Sequence, residues 1–343
     1  MQWLTDRIFF GIFIFLCVYG LYAIALDNIR RHKGLRARLA GLVATLVQRP
    51  PTLLRRAALS VLVWLLRPST SRETVIGLAA NGDIVQVVAT TEFAPGNEAF
   101  LLNDAINASI NAGRYRAALG YEAHIPAPSG TLDDTANRVI IQINLAEAEY
   151  NLGEWAAAER RLAPLDAAAE CLRLCRAGLR TQRSWIYALT GRATEALTVL
   201  QTVEPRWFPS DYVAEYWFTL ARAQLSAGLL DECDKSLDRA ETSLVRSSSK
   251  RNHLFLRAHL AQARGDLQAA SRLCEQAASH EYKGQGAEGL VLWGDVLTKL
   301  GDSAGAARAW QLAIDRDGES EWAQVAKKRL TQSSAGPTVP GAA

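Results

Sequence analysis

The chain has 343 residues, of which 49% are hydrophobic and 21% are charged. This composition excludes wholesale disorder, which needs fewer apolar residues, and a polytopic membrane protein, which needs more. The net charge is +3, but residues 1–72 carry eleven Lys or Arg against two acids, whereas the remainder has 27 bases and 33 acids. The folded body has no basic excess with which to neutralise phosphates, so we expect no nucleic-acid partner.

The first predicted element is an apolar run at residues 8–26, which contains no charged residue. At ~1.5 Å per residue it is about 28 Å long, close to the hydrocarbon thickness of a bilayer. Basic residues are concentrated after the run, so the positive-inside rule predicts an N-terminal transmembrane anchor (residues 1–34) with the body in the cytoplasm. A signal peptide cleaved near Ala23-Ile24-Ala25 and a buried helix are the alternatives.

Residues 35–72 are interpreted as basic amphipathic helices separated by Pro50-Pro51. The second apolar stretch, Ala57 to Leu66, has ten residues and is too short to span a bilayer. A basic helix with one apolar face lies well at a membrane interface, so the basic segment 30–67 is predicted to contact the membrane. Packing on the body and a second crossing, which would invert the location of the body, are the alternatives.

Residues 73–96 allow two interpretations. Asn81-Gly82 stands between two apolar stretches, which is typical of a β-hairpin with a tight turn. Gly82-Asp83 also repeats the pair Gly265-Asp266, which favours a degenerate helical pair that caps a larger helical stack. We favour the helical cap because an isolated two-stranded sheet is marginally stable.

A repeat runs through the body of the chain. Glycines recur between helical patterns at intervals of 36 to 40 residues, at Gly113, Gly153, Gly191, Gly228, Gly265 and Gly301. A small residue stands five positions after each glycine, and in most repeats a second one stands seven positions before it. A glycine lets one helix end and the next begin antiparallel to it, and small residues allow the two helices to approach closely. Such a pair cannot bury its apolar face alone, so the pairs must stack.

The segments Gly113 to Leu119, Gly153 to Ala158 and Gly301 to Ala306 resemble the turn and second helix of the tetratricopeptide repeat family. The resemblance covers residues 97–316. It implies an all-α solenoid of about six helix-turn-helix repeats, preceded by the transmembrane and amphipathic helices. Residues 317–330 are predicted as a capping helix, and residues 331–343, with their small residues and prolines, as a disordered tail.

The sequence contains no evident catalytic or metal-binding motif. Glycine-rich phosphate loops, paired-histidine helix motifs and nucleophile elbows are all missing. Cys171 and Cys175 lie one helical turn apart, but the five histidines have no spacing that would complete a zinc site. The five cysteines, an odd number, do not form a secreted disulfide framework. We expect buried structural thiols, no cofactor, no metal and no enzymatic activity.

The resemblance implies that the first helix of each pair lines a concave groove. Positions ten, six and three residues before the glycines then supply the candidate partner-binding residues, which are Asn103, Asn107, Glu147, Tyr150, Trp185, Phe218, Arg222, Phe255 and His259. For the three large aromatic residues Trp185, Phe218 and Phe255, a place in the core is an equal alternative. Asn107, Glu147, Arg222 and His259 are expected to face solvent.

The resemblance implies a scaffold that binds partner proteins or peptides in this groove. The family's best-known groove clamps a terminal carboxylate with basic and asparagine side chains, whereas Arg222 is the only base at the matching positions here. A peptide helix or extended segment suits the mixed aromatic and polar groove better. The alternatives are an extracytoplasmic assembly factor for envelope or secretion machinery, an enzyme with an unrecognised site in the groove, and a structural homo-oligomer.

Overall fold

The computed structural model describes residues 69–84, 86–88, 98–127, 132–166, 173–210, 212–244, 247–280 and 286–334. All regular structure within these ranges is helical. The α-helices are α1 (Ser69–Ala80), α2 (Glu98–Asn111), α3 (Tyr115–Gly120), α4 (Leu132–Asn151), α5 (Trp155–Leu162), α6 (Arg173–Leu189), α7 (Ala193–Leu200), α8 (Val213–Ser226), α9 (Leu230–Glu241), α10 (Ser247–Ala263), α11 (Leu267–Ala278), α12 (Ala287–Lys299), α13 (Ser303–Arg316) and α14 (Glu321–Ser334). From α2 to α13 they form helical hairpins, so the predicted all-α repeat is confirmed.

Each hairpin turns at the predicted glycine. All six repeat glycines have φ between +70° and +85°. The following residue donates its backbone N–H to the carbonyl five residues earlier, as Arg114 N does to Ser109 O at 2.8 Å and Asp302 N does to Leu297 O at 2.9 Å. This is the Schellman motif, whose left-handed residue is strained unless it is glycine. The glycine therefore ends the first helix and directs the second one back along it.

Small residues lie where the two helices of a hairpin cross. The residues five positions after the glycines have at most 1% of their surface exposed, and they are Ala118, Ala158, Ala196, Cys233, Ala270 and Ala306. In the last hairpin the crossing residue is Gly294, where an added Cβ would lie 2.2 Å from Trp310 Nε1. Close backbone approach thus depends on the absence of side-chain volume at these positions, as the spacing predicts.

Residues 73–96 begin with a helix rather than a β-strand. Helix α1 ends at Ala80 and is followed by Gly82, which has φ +79°, and Asp83 N donates to Leu78 O at 3.1 Å, as in the other hairpin turns. Val87, five residues after Gly82, is fully buried in the first apolar cluster. The β-hairpin alternative is therefore wrong, because Asn81-Gly82 ends a helix that packs on α2.

The last helix, α14, extends beyond its predicted end. Ser320 caps its start, because Ala323 N donates to Ser320 Oγ at 3.1 Å. The helix continues to Ser334, into the segment expected to be a disordered tail. Its inner face, which includes Trp322 and Val325, packs on the apolar cluster of α12 and α13. This packing closes the apolar end of the stack.

The prediction of a transmembrane helix, and of a single-pass membrane location with it, is wrong for the part of the chain that the structure describes. None of the described helices is both long enough and apolar enough to cross a bilayer. The longest, α4, has 20 residues but carries Arg138, Glu147 and Glu149. Charged residues interrupt the apolar surface of such repeat helices because only one side of each packs on its neighbours. The predicted span at residues 8–26 and the basic segment 30–67 lie outside the described residues.

The turn geometry predicts opposite changes in the free energy of unfolding for two Gly→Ala substitutions. Gly228→Ala should lower the free energy of unfolding by about 1–2 kcal/mol, because Gly228 has φ +75° although nothing lies within 4 Å of an added Cβ. Gly178→Ala, within α6, should raise it by about 0.5–1 kcal/mol, since the added Cβ would make an ordinary 3.6 Å contact with Ile143 Cδ1. Chemical denaturation followed by circular dichroism measures both. Equal effects of the two substitutions would contradict the assignment of the turn.

Candidate functional site

The nine predicted groove residues lie on the first helices of five successive hairpins, α2, α4, α6, α8 and α10. Phe218, Arg222 and Phe255 are buried, and the other six are partly exposed. Residues at the same offset from the turn glycine occupy equivalent positions on these helices, and a shared groove face stays a prediction. Their exposure differs between the two ends of the stack, and the structure separates them into two groups.

The group on α8 and α10 makes contacts within the protein. The Arg222 guanidinium forms an ion pair with Glu288 of α12, and the Arg222 side chain is only 7% exposed. His259 Nε2 lies 3.4 Å from the same carboxylate, and the guanidinium lies 5.5 Å from the centre of the Trp185 ring. The expectation that Arg222 faces solvent is therefore wrong. Sequence reasoning missed Glu288, because it lies thirteen residues before Gly301, outside the spacing used to find groove residues.

The two buried phenylalanines belong to the core. Phe218 is 2% exposed and packs with Ala221, Leu237 and other residues of one apolar cluster. Phe255 fills the space above Gly289, where an added Cβ would lie 2.2 Å from its ring. Of the three aromatic residues, only Trp185 keeps a partly exposed ring. The C-terminal half of the groove is thus largely filled by its own side chains.

Burial also determines the charges in this half. It lowers the pKa of Arg222 to about 10, which leaves the guanidinium charged at neutral pH. Burial and the nearby Arg222 charge lower the pKa of His259 well below its usual value. The imidazole is therefore neutral, and the Arg222 guanidinium is the charged partner of the Glu288 carboxylate.

Breaking this buried ion pair should be costly. Arg222→Leu should lower the free energy of unfolding by about 3 kcal/mol, because it leaves the Glu288 carboxylate partly buried without its cation. The double variant R222L/E288L should lose at least about 1 kcal/mol less than the sum of the two single variants. Chemical denaturation of all four proteins measures this coupling.

Arg206→Leu is a suitable control for that experiment. Arg206 pairs with Glu204 at the surface, where the two side chains are 80% and 47% exposed. Removing such a pair changes stability by no more than about 0.5 kcal/mol. Additive effects at Arg222 and Glu288 would show that the two side chains are not paired in solution.

The group on α2 and α4 keeps polar atoms accessible. Asn144 Nδ2 donates to Asn103 Oδ1 at 2.7 Å, which links the two helices. The Asn107 side chain is partly exposed, and its amide makes no hydrogen bond to another described residue. One turn beyond the partly exposed Glu147, the Tyr150 ring stacks on Trp155, with ring centres 6.0 Å apart and planes 13° from parallel. This end of the groove can therefore offer amide and carboxylate groups to a partner.

The described cysteines are poor nucleophiles. Cys175, Cys233 and Cys274 are buried and unpaired. Burial raises the pKa of Cys233 to about 11 and that of Cys274 to about 12, so both are protonated thiols at neutral pH. Among the described residues no three His, Cys, Asp or Glu side chains converge on a possible metal position. Cys171, the predicted neighbour of Cys175, lies outside the described residues.

Residues 317–321, which we call the closing segment, bring the end of the stack back to its first hairpins. Arg116 N donates to Glu319 Oε2 at 3.0 Å. Asp317 is 2% exposed and faces the Tyr115 hydroxyl, and burial raises the pKa of Asp317 to about 6. The closing segment therefore lies beside the end of the groove that keeps accessible polar atoms.

The raised pKa of Asp317 makes stability depend on pH. A carboxyl group with a higher pKa in the folded state stabilises it below the unfolded value of 3.8, and this contribution is lost as the pH rises through about 6. Between pH 4.5 and pH 8 the wild type should lose about 2 kcal/mol relative to Asp317→Asn, which cannot ionise. Denaturation of both proteins at several pH values measures the difference. A difference independent of pH would show that Asp317 ionises equally in both states.

Comparison with solved structures gives chains of similar architecture. The chain is similar to the crystal structure of a tetratricopeptide repeat protein from Parabacteroides merdae ATCC 43184, with a TM-score of 0.49 and 16% sequence identity. The aligned region covers 77% of this chain and 99% of that one. No family model matches the chain, and no curated protein matches it. The chain is a helical-hairpin repeat protein of tetratricopeptide-like architecture, and this assignment rests on its own turns and packing.

Proposed function

We propose that this protein is a scaffold that binds a partner polypeptide on the inner face of its first two hairpins. The inner face at α2 and α4 includes Asn103, Asn107 and Glu147, all of them partly exposed. The observation that carries the proposal is the partly exposed amide of Asn107, which no other described residue satisfies. An amide in that position can pair with the backbone of a bound peptide, as both donor and acceptor.

The remainder of the inner face supports binding indirectly. Arg222, His259 and Glu288 contact one another, and Phe218 and Phe255 are in the core, so this half forms a packed frame beside the site. A rigid frame of this kind reduces the entropy that is lost when a partner binds. The proposed site is therefore shorter than the groove expected from the spacing of the sequence, and it is confined to the hairpins nearest the N-terminus.

A photo-cross-linking experiment tests the proposal. The full-length protein carries p-benzoylphenylalanine in place of Asn107, and in a control in place of Glu275, an exposed residue of α11. On irradiation in cells, position 107 should give a discrete polypeptide adduct and position 275 should not. The added substitutions Asn103→Ala and Glu147→Ala should reduce the yield of this adduct at least threefold, because they remove neighbouring polar contacts.

Two results would contradict the proposal. The first is the same set of adducts at positions 107 and 275, which would indicate random collision. The second is no adduct at position 107 in a protein that circular dichroism shows to be folded.

A further inference from the structure

The contact between the two ends of the stack joins carboxylates to hydrogen-bond donors. The closing segment carries three carboxylates in five residues, at Asp317, Glu319 and Glu321. Opposite them lie four residues that we call the acceptor surface, and these are Tyr115, Arg116, Gly153 and Trp155. Arg116 supplies a backbone N–H to Glu319, Tyr115 a hydroxyl near Asp317, and Trp155 an indole N–H near Glu321.

Gly153 lets the closing segment approach. An added Cβ at Gly153 would lie 3.0 Å from Glu321 Cδ and 3.2 Å from Glu321 Oε2, so the carboxyl group lies directly on the backbone of this turn. The turn between α4 and α5 is also adjacent to the proposed binding site, since Tyr150 stacks on Trp155. The acceptor surface is thus an extension of that site.

The contact is polar and incompletely satisfied. The apolar cluster around α12 to α14 and the cluster around α1 to α4 contain no residue in common. Asp317 Oδ1, Glu321 Oε2 and the Tyr115 hydroxyl are buried, and none has a hydrogen bond of good geometry among the described residues. Buried polar atoms without such bonds make a contact weak. The contact of the closing segment therefore depends on its carboxylates and the donors that face them. The apolar clusters of the two ends are separate.

The acceptor surface has room for more than the closing segment. An open depression of about 480 Å³ adjoins the Glu321 contact, and it is lined by Gly153, Glu154, Trp155, Ala156, Ala157 and Arg160. Most of this lining is apolar, and its charged groups are the Arg160 cation and the Glu154 carboxylate. A longer acidic segment with a nearby apolar side chain fits this combination.

We propose that the acceptor surface binds an acidic segment of a partner polypeptide, and that the closing segment is an internal ligand that this partner displaces. The proposal rests on the proposed function and names the chemistry of the partner. Because the internal ligand is covalently attached, it has a high effective concentration and limits access to the surface. A partner must compete with it, so binding is coupled to opening of the contact between the two ends.

Peptide binding to full-length variants tests this proposal. The probe is a fluorescein-labelled peptide with the sequence of residues 315–323, and its binding is followed by fluorescence anisotropy. The variant E319A/E321A should bind the peptide with a Kd at least tenfold lower than that of the wild type, because the internal ligand no longer competes. E319Q/E321Q, which keeps the size of both side chains, should behave likewise. The charge-matched control E232A/E275A, on the exposed surface of α9 and α11, should bind like the wild type.

Further arms test the chemistry of recognition. A peptide that carries D317N, E319Q and E321Q should bind E319A/E321A at least tenfold more weakly than the acidic peptide. Trp155→Phe in the same background keeps an aromatic ring against Tyr150 but removes the indole N–H, and it should weaken acidic peptide binding at least threefold. Circular dichroism checks that each variant is folded.

Three outcomes would overturn the inference. They are equal peptide affinity of the wild type and both opened variants, equal affinity for the acidic and the neutral peptide, and a wild-type dimer in which two copies exchange closing segments.

Cross-linking at position 107 tests the proposed function separately. If the peptide binds but position 107 gives no cross-link, the proposed site on the inner face is wrong and the acceptor surface is supported. If position 107 gives a cross-link but the peptide does not bind, the acceptor surface is wrong and the site on the inner face is supported.

Discussion

The turn within each hairpin is the constraint on which the rest of the structure depends. A glycine in the left-handed region ends one helix, and the six-to-one hydrogen bond that follows starts the chain back in the opposite direction. Because this turn recurs, corresponding residues of successive hairpins occupy equivalent positions. Small residues then meet at each crossing, and one hairpin supplies the apolar surface that its neighbour covers. The fold is consequently a chain of local contacts, with several apolar clusters in succession.

Regular stacking gives α2, α4, α6, α8, α10 and α12 equivalent positions as the first helices of their hairpins, but it does not decide how their side chains are used. In the C-terminal half, Arg222 reaches past α10 to Glu288 of α12, and His259 lies between them. In the N-terminal half, amide and carboxylate groups stay partly exposed. One architecture therefore provides a self-contained, stabilising half and an accessible half, and the division follows from which side chains find partners two hairpins away.

The closing segment joins the accessible half to the far end of the chain. Its carboxylates lie against donors of the first two hairpins, and the raised pKa of Asp317 reflects the burial that this contact imposes. Neighbouring hairpins share apolar clusters, whereas the contact between the two ends of the described chain pairs carboxylates with hydrogen-bond donors. A contact of this type opens more readily than the packing between hairpins, because opening it returns buried carboxylates to water.

Much of the fold can be predicted from the sequence because its signals are local. Glycine at intervals of 36 to 40 residues, with Ala118 and its counterparts at fixed offsets, predicts helical hairpins, and the structure has them. The signal is weaker at residues 73–96, where Asn81-Gly82 is compatible with either a hairpin turn or a helix end. Flanking apolar residues alone cannot separate the two.

The sequence by itself determined the helices and their turns, because both depend on residues within a few positions of each other. Only the tertiary structure decided that Arg222 is buried against Glu288 and that Glu319 meets Arg116. These pairs are separated by 66 and 203 residues. The first contact depends on how three successive hairpins pack, and the second depends on the curvature of the whole stack. This curvature is the sum of small packing angles between successive hairpins, and no single motif in the sequence encodes it.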